Sequence, residues 1–253
     1  MTITNTLISK PVNLVIDIGT SFIKIAIFSK SEMLFKESIP EISPEFISLI
    51  VQNFPDTQHT ILSSVRKRDH AVLEYLDKNF CKSVELSGKT PVPIKNLYGS
   101  PATLGYDRLA AVVGANTTFP DTNVLVIDIG SAITVDFINN KNEFPGGNIS
   151  PGMMMRFRAL NEFTANLPLE YPHDNPKFMG SDTPGAIISG VQNGIIFELE
   201  GYIHQFSERE ENLKVIFTGG DAVFFAEKIN FQILVDPNLT LKGLNRILEY
   251  NFP

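Results

Sequence analysis

The chain contains one six-residue segment twice, and this repeat limits the folds that it can adopt. Leu-Val-Ile-Asp-Ile-Gly occupies residues 14–19 and recurs without change at residues 125–130. A short β-branched run that ends in Asp and Gly predicts a strand followed by a tight turn. Strand-like residues follow each copy, so we expect two β-hairpins. A perfect repeat with a polar residue inside an apolar run indicates a duplicated domain, and we predict domains at residues 1–118 and 119–253.

The rest of the chain alternates predicted strands and helices, which is typical of α/β layers. We expect helices over residues 44–52, 69–80 and 182–206 and from residue 151, strands over residues 60–65, 82–86 and 213–218, two or three strands between residues 125 and 149, and a loop over residues 87–101. Apolar residues at 109, 112 and 113 predict one further helical face. The sequence therefore predicts two α/β domains, with helices covering the sheets.

Composition excludes several classes of protein. Hydrophobic residues make up 43% of the chain, charged residues 19%, and the formal net charge is −7. This acidic balance lacks the basic surface of nucleic-acid-binding proteins but is compatible with a local nucleotide site. The single cysteine, Cys81, cannot form an internal disulfide, and we expect it to be buried. No stretch reads as a signal peptide or a membrane helix, so we expect a cytoplasmic protein with no membrane partner.

The two predicted hairpins carry residues that suit a polyphosphate and a cation. Glycine after Asp17 and Asp128 lets the backbone turn tightly and present its N–H groups, and Thr20 and Ser131 add hydroxyls. The carboxylates suit a cation such as Mg²⁺, and Lys24 suits a phosphate. The simpler interpretation, that Asp-Gly only makes a turn, is weakened by the duplication.

Other segments carry weaker signals. Asp107-Arg108 lies where a Gly/Pro-rich loop meets an apolar helix, a place where a carboxylate could accept a hydroxyl proton and an arginine could bind an anion. A helix-terminal Asp with a solvated Arg is the alternative. The Gly-Gly turn at residues 218–222 could lie against a nucleotide or simply join a strand to a helix. The histidines show no metal-ligand spacing, and neither a Gly-x-x-x-x-Gly-Lys-Ser/Thr loop nor a Gly-x-Ser-x-Gly elbow is present.

The duplicated Asp-x-Gly hairpins resemble those of the actin, heat-shock chaperone and sugar kinase superfamily, and within it the motifs resemble type III pantothenate kinases. The matching segments are residues 17–24, Tyr98-Gly99 with residues 105–108, residues 128–136 and 146–152, Thr183, and residues 218–222. They follow the family's order along nearly the whole chain. The resemblance implies two ribonuclease H-like domains with the active site in the cleft between them.

The resemblance also implies a reaction and a role for each residue. The expected activity is ATP-dependent phosphorylation of pantothenate to 4'-phosphopantothenate, the first step of coenzyme A biosynthesis, with Asp107 as the proton acceptor. The implied ATP-binding residues are Asp17, Ile18, Gly19, Thr20, Ser21, Phe22, Ile23, Lys24 and Ser131. The implied pantothenate-binding residues are Tyr98, Gly105, Tyr106, Asp107, Arg108 and Thr183, and Asp128 is the implied ligand of a monovalent cation, K⁺ or NH₄⁺.

Two positions depart from the family pattern. Thr20 stands where Asn is usual, which removes a side-chain amide, and Ser131 stands where Thr is usual, which keeps the hydroxyl. Two alternative functions stay open: a kinase of the same superfamily for a sugar or acetate, and a nucleotide-dependent regulator without catalysis. The apolar residues of the long predicted helix cover more than one stripe, so we also expect a homodimer, with Thr183 reaching the pantothenate of the neighbouring subunit.

Overall fold

A computed structural model describes residues 12–66 and 69–253 of the chain. These residues form two compact units that interleave along the sequence. Unit 1 takes the described residues up to Pro93 with Ala102–Gly114 and Thr240–Pro253, and unit 2 takes Ile94–Pro101 and Ala115–Leu239.

The predicted domains are continuous stretches instead, and their boundary after residue 118 stays a prediction. The expectation of no signal peptide concerns residues 1–13, most of which lie outside the described part of the chain.

Strands and helices alternate along the chain, as the sequence predicts. The strands are β1 (Val12–Ile18), β2 (Ile23–Ser29), β3 (Glu32–Ile39), β4 (Thr57–Ser64), β5 (Lys82–Glu85), β6 (Lys95–Asn96), β7 (Val124–Ile129), β8 (Ala132–Ile138), β9 (Glu143–Phe144), β10 (Gly146–Pro151), β11 (Lys214–Thr218) and β12 (Ile233–Val235). The helices are α1 (Pro44–Gln52), α2 (His70–Asn79), α3 (Tyr106–Thr118), α4 (Met153–Glu162), α5 (Thr183–Ser207), α6 (Ala222–Ala226) and α7 (Leu239–Asn251), with a short 3-10 helix at Pro101–Thr103.

The two large sheets have the same topology. The first has the order β3-β2-β1-β4-β5 and the second the order β10-β8-β7-β11-β12. In each, the strand of the repeated segment lies in the middle, pairs antiparallel with the strand that follows it, and pairs parallel with a later strand. The strands β1 and β7 thus occupy equivalent places, and the predicted fold class of two duplicated mixed α/β sheets is confirmed.

The core of unit 1 lies between the sheet and the first two helices. The side chains of Leu14, Ile16 and Ile18 alternate along β1 and pack in one cluster with residues of α1 and α2. On the opposite face, Asn13 Nδ2 donates to Asn245 Oδ1 of α7 at 2.9 Å, and both residues are buried. Because a lost partner would leave a buried polar group unpaired, this bond fixes where α7 docks on the sheet.

The core of unit 2 is organised around α5. One stripe of this helix is buried at successive intervals of four residues: Ile187, Val191, Ile195, Leu199 and Ile203. The stripe belongs to the same cluster as the inward side chains of β7 and β8, as a helical repeat of 3.6 residues requires for burial on one face.

Several sequence predictions need correction. The strand β3 was not expected, the predicted loop over residues 87–101 contains β6, and four strands rather than two or three lie between residues 124 and 151. The helix predicted from residue 151 begins at Met153, because β10 continues through Pro151 and Gly152 is the N-cap. Cys81 is exposed rather than buried.

None of the helices within residues 12–66 and 69–253 combines the length and apolar character needed to cross a bilayer.

Candidate active site

The first hairpin places Asp17 and Lys24 directly opposite each other on β1 and β2. The last pair of the ladder is Ile18 with Ile23, which leaves Gly19–Phe22 as the loop. The Gly19 N–H donates to the Phe22 carbonyl at 3.0 Å and closes this loop. A carboxylate and an ammonium group therefore stand in register beside a closed turn.

Some of the predicted ATP-binding residues of this hairpin have exposed side chains, and others have buried ones. Thr20, Ser21 and Phe22 are exposed, whereas the side chains of Ile18 and Ile23 are buried in the core of unit 1. The two isoleucines can therefore offer a ligand only their backbone groups. The exposed loop supplies the hydroxyls, and Phe22, with 60% of its surface exposed, is available to contact a ligand ring.

Arg66 lies across the first hairpin loop, and sequence analysis missed it. Its guanidinium donates from Nε to the Gly19 carbonyl at 2.7 Å and from Nη2 to the Thr20 carbonyl at 3.0 Å. Arg66 is 46 residues from Thr20 in sequence and belongs to no motif. Only the parallel pairing of β1 with β4 brings the two segments together, so no local signal could have identified it.

The second hairpin repeats the first with a shorter loop. The ladder ends at Ile129 with Ile133, which leaves three residues, 130–132, in place of the four, 19–22, of the first hairpin. Thr134 consequently stands opposite Asp128, in the place that Lys24 takes opposite Asp17. The second hairpin thus pairs a carboxylate with a hydroxyl, whereas the first hairpin pairs a carboxylate with an ammonium group.

The Asp128 carboxylate lies against the glycine turn that follows β11. A Cβ built on Gly219 would stand 2.5 Å from Asp128 Oδ1, and Gly219 has a φ of +94°. The Asp221 N–H donates to the Ile129 carbonyl at 3.0 Å. Burial raises the pKa of the Asp221 carboxyl. The turn at residues 218–222 therefore closes over Asp128 and is more than a connection between a strand and a helix.

Ser131 is held by the turn that precedes α4. The Gly152 N–H donates to the Ser131 carbonyl at 3.2 Å, and a Cβ on Gly152 would stand 2.1 Å from the Gly130 carbonyl oxygen. Arg156 stabilises this turn, because its Nε donates to the Pro151 carbonyl at 2.8 Å. The same guanidinium forms an ion pair with Glu198 and so links the turn to α5. A glycine is needed at residue 152 because any side chain would push the loop of the second hairpin away.

The N-terminus of α3 carries four predicted pantothenate-binding residues. Asp107 is half-buried, and its Oδ1 accepts from the Arg108 N–H at 2.8 Å. A Cβ on Gly105 would lie 2.5 Å from the same oxygen, so glycine makes room for the carboxylate. The Tyr106 hydroxyl accepts from the Gly88 N–H at 3.2 Å, and Arg108 is buried. The Asp107 carboxylate is thus held at the start of α3, next to the buried Arg108.

Tyr98 and Thr183 belong to unit 2. The Tyr98 ring stacks on Phe144 with centroids 6.2 Å apart, and Gly146, with a φ of +134°, leaves space for it. Thr183 is exposed at the first turn of α5, just after the N-cap Asp182. It lines an apolar groove of about 1010 Å³ between α4 and α5. Met155 is 48% exposed and lines the same groove.

The predicted site residues therefore fall in both units. Unit 1 holds residues 17–24 and 105–108, and unit 2 holds Tyr98, Asp128, Ser131 and Thr183. Within the described part of the chain, no three His, Cys, Asp or Glu side chains form a cluster suited to a metal ion.

The family model and the curated relatives of this sequence agree on one family. The model of the type III pantothenate kinase family matches residues 13–205. A type III pantothenate kinase from Bacteroides fragilis is 42% identical over 240 residues, which cover 94% of this chain and 98% of the relative. The chain belongs to the type III pantothenate kinase family.

Solved structures support the fold alone. A Baf family protein from Campylobacter jejuni matches with a TM-score of 0.62 and 23% identity, covering 94% of this chain and 98% of the other. A glucokinase from an Antarctic psychrotroph matches with a TM-score of 0.51 and 10% identity, covering 95% and 99%. The sugar kinase fold expected from the hairpins is confirmed. As a member of its family, the chain is a kinase that transfers a phosphoryl group to an alcohol.

Proposed function

We propose that this chain phosphorylates the hydroxyl of pantothenate with ATP and yields 4'-phosphopantothenate, in the first step of coenzyme A biosynthesis. The observation that carries the proposal is the extent of the family match, residues 13–205, which includes both hairpin loops, Asp107 and Thr183. The expected cytoplasmic location stays a prediction.

In the proposed reaction, the pantothenate hydroxyl oxygen bonds to the γ-phosphorus while the bond from that phosphorus to the bridging oxygen breaks and ADP leaves. Asp107 accepts the hydroxyl proton. Two contacts support this role: Gly105 gives the carboxylate room, and the Arg108 N–H orients one of its oxygens. The other oxygen is then available to the substrate. A positioned carboxylate of this kind is typically worth about 10²–10⁴-fold in rate.

The two hairpin loops are proposed to bind the ATP phosphates. Backbone N–H groups of a tight turn suit phosphate oxygens, and Thr20, Ser21 and Ser131 add hydroxyls. Lys24, in register with Asp17, supplies a positive charge beside the first loop. Ile18 and Ile23 contribute through their backbone, since their side chains are in the core.

The residues present fit the expected cations. Asp17 and Asp128 provide the carboxylate oxygens that Mg²⁺ and K⁺ prefer, and Gly219 leaves space at the Asp128 carboxylate that any side chain would fill. We propose that Asp17 holds Mg²⁺ directly or through water and that Asp128 holds a monovalent cation. A bound cation neutralises charge that develops on the phosphate oxygens.

Pantothenate has a carboxylate, amide groups and hydroxyls to recognise. We propose that Arg108 binds its anionic end, that Tyr98, Gly105 and Tyr106 contact its body, and that Thr183 donates or accepts a hydrogen bond. The buried position of Arg108 supports this role. In the low dielectric of a buried site, the attraction between a guanidinium and an anion is stronger than in water.

A homodimer is the second part of the proposal, with the face of α5 opposite its buried stripe at the interface. On that face a Cβ at Gly190, Gly194 or Gly201 would meet nothing within 4 Å, so another helix can approach closely. Exposed aromatic side chains border it, with Phe197 56% and Phe178 76% exposed. A second copy suits this face, because a closed two-fold interface is self-complementary and buries such a surface on both chains.

A coupled assay of ATP consumption tests the function. The purified chain, with Mg²⁺ and K⁺, is offered pantothenate, glucose and acetate in parallel, and the product is identified by mass spectrometry. We expect turnover with pantothenate and a phosphorylated product. Turnover with glucose or acetate but not pantothenate would assign the chain a different substrate, and binding of ATP without any turnover would support a regulator.

A further inference from the structure

The side chain of Arg66 donates two hydrogen bonds to the loop of the first hairpin, both on the same side of the loop. Its Nε lies 2.7 Å from the Gly19 carbonyl oxygen and its Nη2 lies 3.0 Å from the Thr20 carbonyl oxygen. Both bonds join one guanidinium to two consecutive peptide groups. The planar fork of an arginine suits this geometry, because its donors are fixed relative to one another.

These bonds determine where the loop amides point. In a planar trans peptide, the carbonyl of one residue and the N–H of the next point in opposite directions. Because the carbonyls of Gly19 and Thr20 point at Arg66, the N–H groups of Thr20 and Ser21 point away from it. Two successive N–H groups that point the same way form the kind of concavity that binds an anion.

Arg66 is itself held in place by the sheet. The Ser64 hydroxyl accepts from the Arg66 N–H at 3.1 Å and donates to the Arg66 carbonyl at 3.2 Å. The Val65 N–H donates to the Ile18 carbonyl at 3.0 Å, which ties the segment after β4 to the end of β1. The guanidinium therefore starts from a backbone position that is fixed relative to the loop.

The second hairpin reaches a similar result without a side chain. Its loop carbonyl at Ser131 accepts from the Gly152 N–H at 3.2 Å. That bond joins two backbone groups, at a turn where residue 152 must be glycine. The first loop depends on an exposed arginine instead, so a single substitution can loosen it without touching the core.

We propose that Arg66 is a positioning residue for nucleotide binding: it holds the Gly19–Phe22 loop so that its amides receive a phosphate of ATP, and it does not contact the substrate that is phosphorylated. The inference rests on the proposed function for the identity of the nucleotide. It assigns Arg66 to the ATP side of the reaction only, which separates it from a general role in stability.

The test compares Arg66→Met, which keeps the aliphatic stem but removes the donors, with Arg66→Lys, which keeps the charge. Arg209→Met is the matched control, because Arg209 is also exposed and its guanidinium donates to the Gln205 side chain, one helical turn away. We expect Arg66→Met to weaken MgADP binding, measured by calorimetry, by about tenfold or more, since it loses two charge-assisted hydrogen bonds. Arg66→Lys should recover part of that loss.

Steady-state kinetics provide the second measurement. In Arg66→Met the KM for ATP should rise in parallel with the MgADP dissociation constant, while the KM for pantothenate and the melting temperature stay close to those of Arg209→Met. Unchanged MgADP affinity would overturn the proposal, as would an equal rise in both KM values together with a lower melting temperature. If the unmodified chain binds MgADP but does not phosphorylate pantothenate, the proposed function fails while the calorimetry still decides the role of Arg66.

Discussion

Gly219 lies directly against the carboxylate of Asp128, and no other residue fits there. A Cβ at residue 219 would stand 2.5 Å from Asp128 Oδ1 and 2.4 Å from the Ile129 carbonyl oxygen, and the φ of +94° is one that L-residues rarely adopt. The glycine therefore allows a strand-to-helix turn to close over a carboxylate that we propose binds a cation.

We predict that Gly219→Ala lowers both stability and activity. The left-handed backbone alone costs an L-residue roughly 1–2 kcal/mol, and the contact with a backbone carbonyl forces a further shift of the second hairpin. Gly220→Ala is the matched control, because a Cβ at residue 220 meets nothing within 4 Å. Thermal unfolding and turnover of both variants provide the check. Equal melting temperatures would show that the turn can move aside at little cost.

The sequence predicted the central strand of each sheet and the edge strand β5 but missed the edge strand β3. The segments at residues 14–19 and 125–130 form β1 and β7, which are buried, so apolar burial alone determines their pattern. The edge strand β3 is largely exposed, so its sequence lacks the continuous apolar run that predicts a buried strand. The strands β6 and β9 have two residues each and pair with each other, a contact that no local sequence signal carries.

Helix boundaries followed their caps. The predicted helix over residues 44–52 matches α1, where Ser43 accepts from the Phe46 N–H and proline occupies the first turn. Asp69 and Asp182 are N-caps, so the helices begin one residue after each predicted start. A capping side chain leaves a recognisable local signature, whereas Gly152 caps α4 without a side chain and its helix start was misplaced.

Sequence motifs predicted some residues of the candidate site. Other residues reach the site only through strand pairing, which no single motif reveals. Asp17, Asp128 and Asp107 come from the repeat and from the family pattern. Arg66 comes from strand pairing, since only the pairing of β1 with β4 brings it to the first hairpin. Thr134, by contrast, lies within the matching segment of residues 128–136, and strand register shows only that it stands opposite Asp128. Register follows from burial along whole strands, so residues that depend on it cannot be found one motif at a time.

We predict that Asp107→Asn folds normally but loses turnover. Asparagine keeps an oxygen that can accept from the Arg108 N–H, so the start of α3 should be preserved, but it cannot accept the hydroxyl proton. The value of kcat should fall by about 100-fold or more. Asp69→Asn is the matched control, because Asp69 also begins a helix of unit 1 and accepts from the N–H groups of Ala71 and Val72. Retention of more than about a tenth of kcat would remove the base from Asp107.

Potassium or ammonium should be required in addition to Mg²⁺. The reason is the second hairpin carboxylate, Asp128, which exceeds what one Mg²⁺ needs when the substrate phosphates supply the other oxygens. Activity is measured in sodium-only buffer and again after potassium is added, at constant ionic strength. A rise with potassium is expected, and Asp128→Asn should reduce it. Equal rates in the two buffers would exclude a monovalent cation at Asp128.

The last prediction concerns the open face of α5. We expect a dimer at micromolar concentration in sedimentation equilibrium, because the groove lined by Thr183 and the glycine-rich face of α5 together form an extended apolar surface. Phe197→Glu should weaken the dimer by about tenfold or more, since it places a charge in a desolvated contact.

Leu49→Glu in α1 of unit 1 is the matched control for this change. Leu49 is 59% exposed against 56% for Phe197, so the two substitutions add the same charge at similarly exposed apolar positions. If only the position on α5 matters, Leu49→Glu leaves the dimer intact while Phe197→Glu yields monomers with an unchanged melting profile in the monomeric range. A wild-type chain that sediments as a monomer and turns over normally would contradict the interface, and equal effects of the two substitutions would place it elsewhere than on α5.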